Sequence, residues 1–169
     1  MKKTICGALC ASAMLTTPAQ AAVDTCMVGT WWADISDIAD MMALQMNGAA
    51  RPVGGDVRMD VAPDGTFRIT VRDMKINVQV PDTPAIDVTV TGYSAGSFDA
   101  GEGAWLAGVT DYNLVGSGDV LGQTMTIPFT SATGMFGGGT GGYNCSLSML
   151  RLDGDPSVPM RFVRTWQRG

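Results

Sequence analysis

The chain has 169 residues, with 11 Lys and Arg against 16 Asp and Glu, no His, and a net charge of −5. An acidic chain without a Lys/Arg cluster argues against nucleic acid and anionic lipid as partners, and the lack of histidine excludes Ser-His-Asp and Cys-His catalysis. The length suits one ordinary domain with a real core.

Met1-Lys2-Lys3 is a short basic start, Thr4 to Thr16 is largely apolar or small, and Ala19-Gln20-Ala21 fits a small-x-small cleavage site. The apolar stretch is shorter than the ~20 residues that span a bilayer, and no second stretch reaches that length. Residues 1–21 therefore read as a signal peptide of bacterial type, and 22–169 as one exported domain, periplasmic or secreted. Cys10-Ala11-Ser12 is a poor lipobox, so no lipid anchor is expected. Cleavage would take Lys2 and Lys3 with it, moving the net charge from −5 to −7. It would also remove Cys6 and Cys10 and leave one pair, Cys26 and Cys145. In an oxidising compartment such a pair reads as a disulfide. In the chain-entropy model, closing so long a loop contributes up to ~4–5 kcal/mol. A redox-active pair would need a CxxC-like spacing, which is absent.

A first strand is expected around Gly29 to Trp32. Ile35, Ile38, Ala39, Met42 and Met46 then repeat at helical spacing. Asp34 or Ser36 can cap this helix, Gly48 can end it, and Asp37 and Asp40 would face solvent. Val57, Met59 and Val61 next alternate with Arg58 and Asp60 across a strand. Pro63-Asp64-Gly65 turns the chain, and Phe67, Ile69 and Val71 alternate in the following strand. The apolar phase then switches to Met74, Ile76, Val78 and Val80, which demands a bulge near Asp73. Pro81-Asp82-Thr83-Pro84 makes another turn before Ile86, Val88 and Val90.

After Gly92 the pattern loosens. Trp105 to Val109, Tyr112 to Val115 and Gln123 to Phe129 read as short strands. Gly134 to Gly142 holds six glycines and reads as too flexible to be regular. Tyr143, Cys145, Leu147 and Met149 alternate again, Asp153-Gly154-Asp155-Pro156 turns, and Met160, Phe162 and Trp166 build a last strand. The expected fold is all-β: an antiparallel up-and-down β-barrel of about eight strands, with one amphipathic helix after the first strand. That helix would plug one end of the barrel or pack across its side.

Cys26-Met27-Val28-Gly29-Thr30-Trp31 carries Gly-x-Trp on a first strand, which resembles the lipocalin signature. The resemblance extends to secreted bacterial lipocalin-like domains with Asp-Gly-Thr hairpins, here Asp64-Gly65-Thr66, and a late Tyr-x-Cys strand, here Tyr143-Asn144-Cys145. It implies a calycin-type barrel whose floor is closed by Trp31, with Arg164 or Arg161 packed over it in a cation–π contact. It also implies binding of a small apolar molecule, with Trp31, Trp32, Met59, Ile69 and Val88 as candidate interior positions. The helix after the first strand departs from ordinary lipocalins.

No metal or cofactor is expected. Ten methionines would remain after cleavage, and Met41, Met42 and Met46 lie close enough to suggest thioether binding of Cu(I). Core packing explains them better. Asp34, Asp37 and Asp40, and Asp153 with Asp155, lack calcium-loop spacing. Glu102 is the only glutamate, and no local string pairs it with a second carboxylate for glycosidase-type work, so the chain reads as a non-enzyme. The rival to a carrier is an envelope protein-binding module, such as a barrel-type inhibitor or an assembly partner. That module would have a filled core and would work through loops 93–104 or 134–142. A cavity of a few hundred Å³ separates the two readings.

Overall fold

The computed structural model describes residues 23–120, 122–132, 135–154 and 159–164. The signal-peptide reading of residues 1–21 lies outside them, as do Gly134, Asp155, Pro156 and Trp166. The elements, in chain order, are β1 (Gly29–Ala33), α1 (Ile35–Met46), β2 (Ala49–Val61), β3 (Thr66–Gln79), β4 (Ile86–Gly101), β5 (Ala104–Val120), β6 (Gln123–Pro128), β7 (Gly139–Cys145), β8 (Met149–Asp153) and β9 (Met160–Val163). Every pairing is antiparallel, and eight strands close into a ring in the order β1, β2, β3, β4, β5, β7, β8, β9 and back to β1. This is the up-and-down barrel that the alternation implies. A ninth strand, β6, pairs only with the far end of β5, Val115 to Val120.

Alternation decides which side chains enter. Val57, Met59 and Val61 of β2 and Phe67, Ile69 and Val71 of β3 are buried, while Arg68 and Arg72 between them are exposed. The phase switch occurs where expected: the β3–β4 ladder steps from Val71–Gly92 to Met74–Val90, with Asp73 at φ 45°. The bulge is accommodated across the sheet by Gly55, at φ 91°, where a Cβ would run into the Asp73 carbonyl. Past it, the upper halves of β2 to β5, with β6, continue beyond β1 as a five-stranded sheet. Helix α1 packs against β2, burying Ile38, Ala39 and Met42.

Several expectations need correction. Trp105 to Val109 and Tyr112 to Val115 are one long strand, because a ladder irregularity at Ala95/Gly96 absorbs the phase change between them. Residues 93–101 are not a loop but the second half of β4, and only Glu102-Gly103 turn. Small residues disguise that strand: Gly92, at φ 122°, and Gly96 let β4 and β5 approach so closely that a Cβ at either would strike the facing carbonyl. Gly139 to Gly142 likewise begin β7. That strand ends at Cys145, and Leu147 is 91% exposed at the tip of the following turn. Helix α1 is capped by Asp34, which accepts from the Ser36 N–H at 3.0 Å, but it ends on Asn47 in the left-handed conformation, one residue before Gly48. Asp37 faces the protein, not solvent, because Arg161 meets it there.

Candidate functional site

One end of the barrel is sealed by the segment just before β1. Residues Val23 to Met27 cross the turns β2–β3, β4–β5 and β7–β8. The Asp24 N–H donates to the Ala100 carbonyl at 2.9 Å, and the Tyr143 hydroxyl donates to the Asp24 carboxylate at 2.7 Å. Cys26 is disulfide-bonded to Cys145 across 119 residues of sequence. Beneath this strap Trp31 is completely buried, with its indole N–H donating to the Met27 carbonyl at 2.8 Å. The Arg164 guanidinium lies 4.4 Å from the Trp31 ring centre and donates to the Cys26 carbonyl at 2.7 Å. Of the two arginines weighed for the floor, Arg164 is the one that stacks. Arg161 instead grips Asp37 through its own backbone N–H and its guanidinium.

Above the floor a partly open pocket of about 220 Å³ reaches into the barrel. Five aromatic side chains line it: Phe67, Phe98, Trp105, Phe136 and Phe162. Phe98 stands edge-on to Phe67, with ring centres 6.0 Å apart and a 70° interplanar angle, and lies parallel to Trp105 at 5.9 Å. Four methionines from four elements join them: Met41 of α1, Met59 of β2, Met135 of the β6–β7 connection and Met160 of β9. The lining contains no titratable side chain, and Gln45 of α1 is its one polar side chain among the described residues.

Two interior hydroxyls hold the β6–β7 connection against the barrel. Ser94, fully buried, donates to the Phe136 carbonyl at 2.7 Å, and Tyr112 donates to the Met135 carbonyl at 2.8 Å. Burial raises the Tyr112 pKa and keeps that donor protonated. Trp105 is fixed in turn. Its indole N–H donates to the Asp153 carbonyl at 3.2 Å, and Gly139 and Gly154 press no side chain on the ring's far edge.

Met59 and Ile69, two of the five candidate positions, line the cavity. Trp31 belongs to the floor, as the resemblance implied. Trp32, next to it, points outward between Arg58 and Val163 and is half-buried. Val88 is buried in the sheet beyond β1, with Ile76 and Gly118 as its ladder partners. No family model, no curated protein and no solved structure matches the chain. The barrel itself must carry the argument.

Sequence reasoning missed most of the wall. Phe98 fell in the stretch read as a loop, and Met41 sits beside, not on, the helix stripe formed by Ile38 and Met42. One signal was available. Phe98 is a large aromatic in a stretch, 94–101, otherwise built from small or polar residues. Among the described residues no group of three or more His, Cys, Asp or Glu is placed to hold a metal ion. Glu102 is exposed at the tip of the β4–β5 turn and is not among the lining residues. No helix among the described residues is long and apolar enough to cross a membrane.

Proposed function

We propose that this chain is an exported, lipocalin-like binder that holds a small apolar molecule inside its barrel. One observation carries the reading: a hollow of about 220 Å³ lies among side chains that are almost all apolar. Close packing is the rule in protein interiors, and an empty apolar hollow forfeits dispersion contacts that a guest restores. A cavity of ~150 Å³ accommodates benzene, so this one suits a guest of one or two rings or a short chain. The disulfide supports an oxidising compartment, and the leader-like sequence of the first 21 residues favours the periplasm or the cell exterior as that compartment.

The rival envelope module would want a filled core. The large exposed apolar side chains are spread over several elements instead, Leu44 on α1, Val53 on β2, Leu106 and Val115 on β5, Met125 on β6, and Leu147 and Met149 at the β7–β8 turn. Native mass spectrometry of the protein, purified gently from its own envelope, tests the carrier reading. The expected result is a co-purifying apolar molecule of roughly 100–200 Da that is lost on denaturation. An apo mass, together with failure to take up any apolar probe, would move the weight to the protein-binding module.

A further inference from the structure

We propose that the cavity selects neutral, planar aromatic guests of one or two fused rings over saturated guests of the same size. This inference rests on the binding reading above and names the ligand class. A hydrophobic hollow rewards any apolar surface about equally per unit area. The composition of this wall goes further. Its five aromatic rings come from β3, β4, β5, β9 and the β6–β7 connection, so a guest meets π-systems from several sides. Aromatic pairs gain from offset-stacked and edge-to-face arrangements beyond their area, and Phe67, Phe98 and Trp105 already show both geometries with one another. Thioethers favour aromatic partners in the same way, and four of them face the hollow.

The wall is also pre-set. Trp105 is held by the Asp153 carbonyl and by Phe98, and Phe136 is held by the bond from Ser94 to its carbonyl, so little ordering remains to be done on binding. The same wall excludes charge. Among the described residues no lining side chain can pair with an ionised guest, and the Trp105 N–H is already engaged. A single neutral substituent can be met by the Gln45 amide on the helix.

The test compares 2-naphthol with decahydro-2-naphthol, which share ten carbons and one hydroxyl, by calorimetric titration of the disulfide-bonded protein. The expected result is 2-naphthol tighter by about tenfold. In Trp105→Leu the ratio of the two affinities should fall to about threefold or less, apart from any loss common to both alcohols. Phe136→Leu, at a half-buried position, gives the second reading should Trp105→Leu fail to fold. Equal affinity for the two alcohols, or a preference unchanged in both variants, would overturn the aromatic assignment and leave the apolar-binder reading standing. Binding of neither alcohol at its solubility limit would overturn both.

Discussion

Asp37 accepts hydrogen bonds from the Arg161 backbone N–H at 2.8 Å and from its Nε at 2.9 Å, and the guanidinium reaches Asp34 at 3.1 Å as well. Those contacts join α1 to β9, two elements that each give a methionine to the cavity. The carboxylate side chain is only 7% exposed, while Arg161 is about half exposed, so the pair is partly screened. Asp37→Ala should still lower stability by about 2 kcal/mol, because it strands a backbone donor as well as a guanidinium. Asp37→Asn should recover part of the loss. Urea unfolding of the three proteins checks the order, and equal midpoints would mean that α1 is held by its apolar face alone. Ser94→Ala is a smaller change: it frees the Phe136 carbonyl and should cost about 1 kcal/mol, with faster ligand release as its second reading.

Among the elements, the β4–β5 pair shows how tightly two strands can be seated when glycine faces a carbonyl. Gly92→Ala would place a Cβ on the Asn113 oxygen at a φ of 122°. It should cost about 2–4 kcal/mol, and thermal unfolding would show it directly. The same pair marks where reading the sequence succeeds and where it fails. From Val57 to Val90 large apolar and charged residues alternate, and strands, turns and the bulge at Asp73 could all be placed because side-chain size and charge report the face. From Gly92 to Gly101 the inward positions include Ser94, Gly96 and Ala100. These are small because the neighbouring strand or loop lies close, so the pattern fades where pairing is tightest. Helix α1 was legible through its apolar stripe, yet Asp37 was not, since its partner lies 124 residues away in the chain. Only Met59 and Ile69 of the cavity wall could be named beforehand. Period-two alternation tells inside from outside but does not tell a filled interior from a hollow one.

The whole molecule depends on its sealed end. Replacing both Cys26 and Cys145 by Ser should cost about 2–5 kcal/mol without altering the ring of strands, as far-ultraviolet dichroism and urea midpoints would show. The pH dependence has its origin in the same place. Hydrogen bonds from the Tyr143 hydroxyl and the Cys26 N–H hold the Asp24 carboxyl below its usual range, and the Thr66 N–H and hydroxyl do the same for Asp64. Stability from a lowered carboxylate is complete above its unfolded pKa and fades as pH falls through the folded one. Tyr143 is pushed up by burial and by the Asp24 carboxylate, so its contribution is complete below its unfolded pKa and fades as pH rises through the folded one. The urea midpoint should therefore be flat between about pH 4 and pH 10 and decline on both sides. A steady slope across neutral pH would contradict this account. Tyr143→Phe should remove the alkaline decline that belongs to the strap and blunt the acid one.

The seam that completes the barrel joins β1 to β9, and the disulfide and the Arg164 stack bind the same two regions of chain. A polypeptide that emerges amino end first therefore holds Cys26 without its disulfide partner and Trp31 without the Arg164 guanidinium until nearly all of it has been delivered. Pairings so distant in sequence make for slow closure and long exposure of unpaired edges. Until β9 pairs with β1 the ring cannot close, so the last strand to arrive decides whether what lies against the inner face is shut in or shut out.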